Sequence, residues 1–418
     1  MQFIADLHIH SRFSRATSRD MDIPAIAAAA KTKGIKLVAT GDFTHPEYMQ
    51  SLKQHLKPTG AGLFTYDDTY FILNVELSGI YSAGGRLRRI HNMVFVPGFE
   101  TADKLTAWLD GYGKLASDGR PTLGLSSYDL LAKVLEIDGR AFLVPAHIWT
   151  PWFSLYGSNS GFDSIEECFG DLSKEIFAVE TGLSSDPPMN WRLSALDSRT
   201  LISNSDAHSP GRLGREANVF DCELSYDAIR DVLKTKDRKR FLYTIEFFPE
   251  EGKYHYDGHR ACNVSFAPAQ SLVNDNLCPG CGRQLTIGVL HRVEQLADRK
   301  PEEVPTDVIP YKHVVPLEEV IGEALGVGRD TAQVRKLYET MVAALGSEFE
   351  ILLNSPIPDI ENNSNDRVAL GIERMRRGEV QATAGYDGVF GVIQVLPGVP
   401  PTPAARDAAP GTQMGLFG

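Results

Sequence analysis

An α/β fold is the class that this sequence predicts, on three observations. Seven short β-branched runs alternate with helical stretches over residues 1–245. A small module bearing cysteine and histidine breaks that texture at 246–300, and residues 301–396 then read as helices. Strand–helix alternation builds a parallel sheet, because parallel neighbours need a crossover, and 245 residues give such a sheet room to close into a barrel.

The strands are the runs FIADLHI (3–9), IKLVATG (35–41), FILNVELS (71–78), HNMVFVPG (91–98), RAFLVPAH (140–147), IFAVETG (176–182) and RTLISNSD (199–206). β-Branched and aromatic residues of this kind fit a pleated, buried surface. Helical patterns lie between several of them. DIPAIAAAAKTKG (22–34), SYDLLAKVLEI (127–137) and SYDAIRDVLKTK (225–236) each open on an Asp or Ser able to cap a first turn. After the cysteine module, PLEEVIGEAL (316–325) and TAQVRKLYETMVAAL (331–345) carry helical periodicity. Residues 397–418 form a fourth segment: PGVPPTPAARDAAPGT (397–412), rich in Pro, Ala and Gly, predicts a disordered linker that ends in QMGLFG.

Composition narrows the function classes. The 418 residues are 43% hydrophobic and 23% charged, ordinary for a globular protein of two or three domains. No apolar run approaches the roughly 20 residues that span a bilayer, and no basic segment precedes an apolar stretch at the start, so neither membrane span nor signal peptide is expected. Five cysteines, three of them late in the chain, suit a reduced cytoplasm and a metal site better than a disulfide framework. A net charge of −12 argues against coating nucleic acid by bulk attraction, while leaving room for a local basic groove.

Metal-ligand residue types recur at the strand ends. His8 and His10 follow the first strand and, two apart, point to one face. Asp42 and His45 follow the second, Glu76 lies in the third, His91 opens the fourth, and His147 ends the fifth. Glu180 lies in the sixth, and Asp206 and His208 end the seventh. In parallel barrels the carboxyl ends of the strands form the active face, and six of the eleven histidines belong to this set.

This pattern resembles the polymerase-and-histidinol-phosphatase (PHP) family, with its His-x-His, Asp/His pair, Glu then His, further His and late Asp-x-His. The resemblance implies a distorted (β/α)7 barrel over 1–245 that holds up to three divalent metals and hydrolyses phosphoesters. It implies His8, His10, Asp42, His45, Glu76, His91, His147, Asp206 and His208 as ligands, with His8, His10, Glu76, Asp206 and His208 catalytic and Glu76 a bridge between ions. GDFTH departs from the family, where the Asp and His are often adjacent. Imidazole with carboxylate favours Zn²⁺ or Mn²⁺ over Mg²⁺ alone. Arg12 and Arg15 stand just past the first ligands, either to hold a phosphate or as solvated loop residues.

His259-x2-Cys262 and Cys278-x2-Cys281, fifteen residues apart, have the spacing of a structural zinc site. His255 competes with His259 for the fourth position. A small phosphate ester would need only the barrel, so the added modules suggest a long polyanion. The basic runs RLRRIH (86–91), KTKDRKR (234–240) and RMRR (374–377) are candidate phosphate contacts, with solvated faces as the alternative.

YHYDGHRACNV, CPGCGRQLTIGVLHRVEQLADR and AGYDGVFGVI, set behind such a barrel, resemble the endonuclease Q family over nearly the whole chain. That resemblance implies a DNA repair nuclease that recognises uracil, hypoxanthine, xanthine and abasic sites and nicks 5′ to the lesion. Trp149, Trp152 and Phe153, in HIWTPWFSLYG, would then stack on a displaced base or simply pack the loop. Gln413, Leu416 and Phe417 match the peptide that bacterial replication proteins insert into the β sliding clamp. Two rivals are a small-molecule phosphatase and a catalytically silent, clamp-tethered DNA-binding adaptor. The intact ligand set weighs against the second.

Overall fold

All seven expected strands form in the computed structural model, which describes residues 1–396 and 398. They are β1 (Gln2–Asp6), β2 (Leu37–Ala39), β3 (Thr69–Ala83), β4 (Arg86–Val96), β5 (Phe142–Pro145), β6 (Ala178–Glu180) and β7 (Thr200–Ile202). Beside the seven, the first 246 residues hold three short strands, Lys57–Pro58, Phe64–Tyr66 and Thr122–Leu123, and two longer ones, β8 (Ala217–Asp221) and β9 (Phe241–Glu246). Helices α1 (Ile23–Lys33) and α3 (Tyr226–Thr235) begin where the caps predict, and α2 (Ser127–Ile137) begins one residue earlier, with Ser126 as cap in place of the expected Ser127. Asp22, Ser126 and Ser225 each accept a backbone N–H from the first turn.

The sheet differs from a uniform parallel barrel in two ways. First, β1, β2 and β3 are parallel, but β4 runs antiparallel to both β3 and β5. Second, β8 pairs antiparallel with β1, Gln2 facing Asp221, and so occupies the edge that would receive β7. β6 and β7 form their own parallel pair. Among the described residues no ladder joins β5 to β6 or β7 to β1. Those gaps are crossed by single contacts, such as the Ile9–Ala207 bridge and the bond from Ile148 N to Glu180 O. The result is a mixed α/β fold in which closure by a continuous ladder is replaced by irregular contacts.

The cysteine module is a hairpin, β10 (Asp257–His259) with β11 (Val264–Phe266), followed by a Cys-containing turn and α4 (Val289–Leu296). Five helices come next: α5 (Leu317–Leu325), α6 (Ala332–Leu345), α7 (Glu348–Leu353), α8 (Ile357–Asn362) and α9 (Asp366–Arg376). The chain does not end on helices, as expected, but returns in a hairpin, β12 (Gln381–Thr383) with β13 (Val392–Gln394), which rests on the cysteine module. Apolar packing runs unbroken from the barrel, through Val38 and Val219, to Val320, Met341 and Ile372 of the helices. The docking is close: a side chain at Gly34, the left-handed cap of α1, would overlap Ser347. A buried ion pair from Lys33 to Glu348 (2.8 Å) lies beside it.

Among the described residues no helix is long and apolar enough to cross a membrane. The linker and the candidate clamp residues Gln413, Leu416 and Phe417 lie outside the described residues.

Candidate active site

Two ligand groups meet at one glutamate. His8, His10, Glu76 and Asp206 bring one ligand atom each within 4.8 Å of one another, as do Glu76, His91 and His147. Glu76, from the middle of β3, divides its oxygens between them. Oε1 lies 2.7 Å from His91 Nδ1 and 3.0 Å from His147 Nε2, and Oε2 lies 3.1 Å from His10 Nε2. The topology explains His91, which the sequence placed before its strand. The strand starts five residues earlier, and because β4 is antiparallel its first half reaches the face where its parallel neighbours end.

The rings are aimed by carboxylates behind them. Nδ1 of His8 donates to Glu180 (3.0 Å) and Nδ1 of His10 to Asp42 (3.1 Å), which leaves Nε2 of each facing the cluster. Glu180 also accepts from His147 N and Asn204 Nδ2, and Asp42 from Ser11 and Ser14. His8 Nε2, His10 Nε2 and Asp206 Oδ1 are buried without a hydrogen bond. His10 Nε2 is nevertheless 3.1 Å from both Glu76 and Asp206, at angles that make ion-pair distances but no bond. Buried donors and acceptors that crowd without bonding fit a shared cation, and the imidazole–carboxylate set fits a transition metal. Asp42, His147 and Asp206 adopt positive φ (48°, 30° and 47°), a strained backbone that clusters at functional sites.

The electrostatics follow from this packing. Burial works against the charge on His8, but Glu180 and Glu76 outweigh it and hold the imidazole well above its ordinary pKa. Burial likewise opposes ionisation of Glu76, yet His91, Arg120 and His8 keep it well below the carboxylate range. Burial pulls His91 down to about 4, against the opposing charge of Glu76.

Several expected ligands stand elsewhere. Asp42 is spent on His10 and two serines and belongs to neither group. His45 also lies outside both; it stands at the start of the helix Pro46–His55 without a side-chain capping bond and stacks on Phe13 at 4.3 Å. The two residues between Asp42 and His45 form a turn, His45 N to Asp42 O, that carries the imidazole away. His208 stays at the margin, its ring 4.6 Å from His10 and its Nδ1 donating to the Asp206 carbonyl. The described residues thus offer two ligand groups in the barrel where up to three metals were expected.

The cleft above this centre has a volume of about 920 Å³ and lies between the first 246 residues, the cysteine module and α5. Its cations are ones the sequence did not single out: Arg120, Arg212, Arg215, Lys253, Arg260 and Arg329. Arg120 is the most telling, since Nη1 donates to Glu76 Oε2 at 3.1 Å. It sits between two stretches without periodicity and carried no sequence signal. Arg12 instead pairs with Asp22, and Arg15, largely exposed, rests against Asp118; neither lines the cleft. The basic runs are largely partnered internally, Arg238 with Asp307, Arg240 with Asp231, and Arg376 with carbonyls of α7. Trp149 corrects another expectation. It is 1% exposed, donates from Nε1 to Asn190 and packs on Tyr156, so it is core. Trp152 does line the cleft, 38% exposed.

In the cysteine module, His259, Cys262, Cys278 and Cys281 place their ligand atoms within 4.8 Å of one another. This selects His259 over His255, which is buried outside the group. Burial would raise the Cys278 thiol, but the backbone N–H groups of Gly280 and Cys281 bring it down to about 7.

The fold and this centre define an enzyme of the metal-dependent phosphodiesterase class. Residues 316–379 match the family model of the MJ0043 C-terminal domain. The chain is 33% identical over 287 residues to the uncharacterized protein MJ0043 of Methanocaldococcus jannaschii, of which it spans only 35%. It is 30% identical over 406 residues to the uncharacterized protein YqxK of Bacillus subtilis, covering 93% of this chain and 98% of that one. The lesion-specific endonuclease PfuEndoQ from Pyrococcus furiosus superimposes with a TM-score of 0.85 at 33% identity, over 94% of this chain and 95% of that one. An endonuclease Q solved with a 27-mer duplex bearing an abasic lesion at its active site gives 0.85 at 32%, over 96% and 98%. The chain belongs to the endonuclease Q family.

Proposed function

We propose that this protein is a DNA repair endonuclease that hydrolyses the phosphodiester bond 5′ to deaminated bases (uracil, hypoxanthine, xanthine) and abasic sites. The observation that carries this reading is Glu76, shared between two ligand groups whose His91, His147 and Asp206 line an open cleft. The solved relative with an abasic duplex supports the substrate class. Two divalent ions, zinc, manganese or magnesium, held by His8, His10, Glu76 and Asp206 and by Glu76, His91 and His147, would activate water and neutralise charge on the phosphate. The chain's own part is to aim the imidazoles through Glu180 and Asp42 and to present Arg120 beside Glu76, where a guanidinium can grip phosphate oxygens. The division into barrel (1–245), cysteine module (246–300), helical segment (301–396) and tail (397–418) assigns chemistry to the first and DNA binding to the next two. A structural Zn²⁺ on His259, Cys262, Cys278 and Cys281 would hold the second together.

The test is nicking of labelled duplexes that carry one deoxyuridine, one hypoxanthine or one abasic site, with an undamaged duplex as control. Cleavage confined to the 5′ side of the lesion is expected, and absence of nicking on all three would remove the reading. A small-molecule phosphatase would instead turn over phosphomonoesters and ignore the duplexes. In the same proposal the terminal peptide, through Gln413, Leu416 and Phe417, binds a β sliding clamp in a cytoplasmic, nucleoid-associated setting. Titration of a clamp with protein lacking 413–418 checks it, equal binding with and without the peptide being the contrary result.

A further inference from the structure

Between the metal centre and solvent, the same cleft carries an aromatic rim to which the chemistry above gives no task. Phe390 is 54% exposed and Trp152 38% exposed, and both line the cleft that His91, His147 and Asp206 floor. Tyr254 links them: its ring meets Trp152 edge-on at 5.7 Å, and Lys253 Nζ stands 5.6 Å from the Tyr254 ring and 5.8 Å from Phe390. A single exposed apolar residue is unremarkable, but aromatic rings interleaved with a cation along one wall of a cleft are the composition of a base-stacking platform.

The Phe390 loop is also built to stay where it is. A Cβ at Gly391 would lie 2.1 Å from Glu250 O, and one at Gly385 2.5 Å from Gly252 O, so the loop backbone is pressed against the cysteine module. Asp387 accepts from Arg260 N and from Thr286 Oγ1, each at 2.6 Å, and Tyr386 donates from its hydroxyl to Asn263 at 2.8 Å. Such anchoring fixes an exposed ring in the cleft when it could have been turned inward. Order of this kind lowers the entropy cost of binding.

We propose that Phe390, with Tyr254 and Trp152 behind it, is the stacking site for a nucleobase of the DNA strand that is unstacked when the lesion enters the cleft. The proposal rests on the endonuclease reading and names what that reading leaves open, the surface that takes up the displaced base. A base is the occupant that fits: a flat π-face for the rings, on a strand whose phosphates meet Lys253 and Arg260. A stack depends on the ring and not merely on apolar bulk, which sets it apart from a wedge.

The test uses the full chain with Mn²⁺ and a duplex that carries one hypoxanthine, with 2-aminopurine as its neighbour. Phe390→Ala should lower kcat/KM for nicking by roughly 10- to 100-fold, the range of a lost base–aromatic stack, and leave the 2-aminopurine brighter in its complex than in the wild-type complex, where stacking on the ring should quench it. Phe390→Trp should nick and quench like wild type, and Phe390→Leu should resemble Phe390→Ala. Because Phe390 is half in solvent, thermal unfolding of all three should match wild type. Wild-type rates and quenching in Phe390→Ala would overturn the stacking site while leaving the nuclease intact, and so would a fully active Phe390→Leu. A wild-type protein that nicks no lesion duplex would instead remove the reading on which the site rests.

Discussion

The candidate ligand groups around Glu76 and the cysteine cluster are assembled on opposite plans. The residues around Glu76 run from His8 to Asp206, across five strands, and His8 and His10 are aimed by carboxylates on still other segments. The cysteine cluster is complete within His259–Cys281, and its thiols are aimed by backbone: Cys278 N donates to Arg283 O and Gly282 N to Cys278 O. The first arrangement exists only once the whole sheet has formed, so its residues can be strained, buried and charged. The second can form locally, and the energy of its ion is then folding energy for the module. The difference predicts that damage to the barrel centre costs rate without structure, and damage to the cysteine cluster costs structure first.

Glu76→Gln is the strongest way to break that contrast, since one oxygen pair serves both barrel groups. Loss of several kcal/mol of transition-state stabilisation corresponds to a fall of about a thousandfold or more in nicking rate. Circular dichroism should stay close to wild type, because Gln keeps the shape and an acceptor for Arg120, while the melting temperature should fall modestly as Arg120 loses its buried counter-charge. A folded Glu76→Gln protein with near-normal nicking would dismantle the shared-ion centre.

Cys278→Ser should show the reverse order of effects. The module should lose its bound zinc, measured by elemental analysis, and become protease-sensitive between 250 and 300. The zinc contribution at stake is on the order of several kcal/mol. DNA binding should weaken in consequence, while the barrel metals remain titratable. If zinc stoichiometry and protease resistance are both unchanged, the cluster is not a structural zinc site.

Legibility in the sequence follows the same division. The cysteine spacing was readable because its ligands are near neighbours, and only the choice of His259 over His255 needed coordinates. The strands and helix caps of the barrel were readable because alternation and Asp or Ser caps are local signals. The direction of β4 was not, since a strand's polarity in a sheet is set by its partners; hence His91 looked misplaced when it was not. Asp42 and His45 carried ligand-type side chains, but their roles depend on a turn and on which ring the carboxylate meets. Trp149 and Trp152 stand three apart in one loop, and nothing local distinguishes the core residue from the one facing the cleft. Arg120 was invisible because its importance lies wholly in its distance to Glu76.

Glu180→Gln tests the smallest effect, the aiming of one ring. The substitution keeps the shape and one oxygen for His8 Nδ1 and Asn204, removes a charge that raises the His8 pKa, and turns an amide NH2 towards His147 N in place of the acceptor there. In the metal-free protein that raised pKa means a proton holds the His8 ring, and the ion must displace it. Metal affinity in wild type should therefore fall as pH drops through the raised His8 pKa, above the ordinary imidazole range, because protonated imidazole cannot ligate, and binding should release protons. In Glu180→Gln the His8 pKa moves down, so the pH at which affinity declines should also move down. At high pH, where no proton competes, the variant should bind metal about 10- to 100-fold more weakly, since the imidazole has lost basicity and orientation. Calorimetric titration with Mn²⁺ across pH, in buffers of different ionisation enthalpy, separates the two effects. A variant with wild-type affinity at high pH and an unmoved pH midpoint would show that Glu180 only fills space behind His8, and the contrast between carboxylate-aimed and backbone-aimed ligands would lose its support.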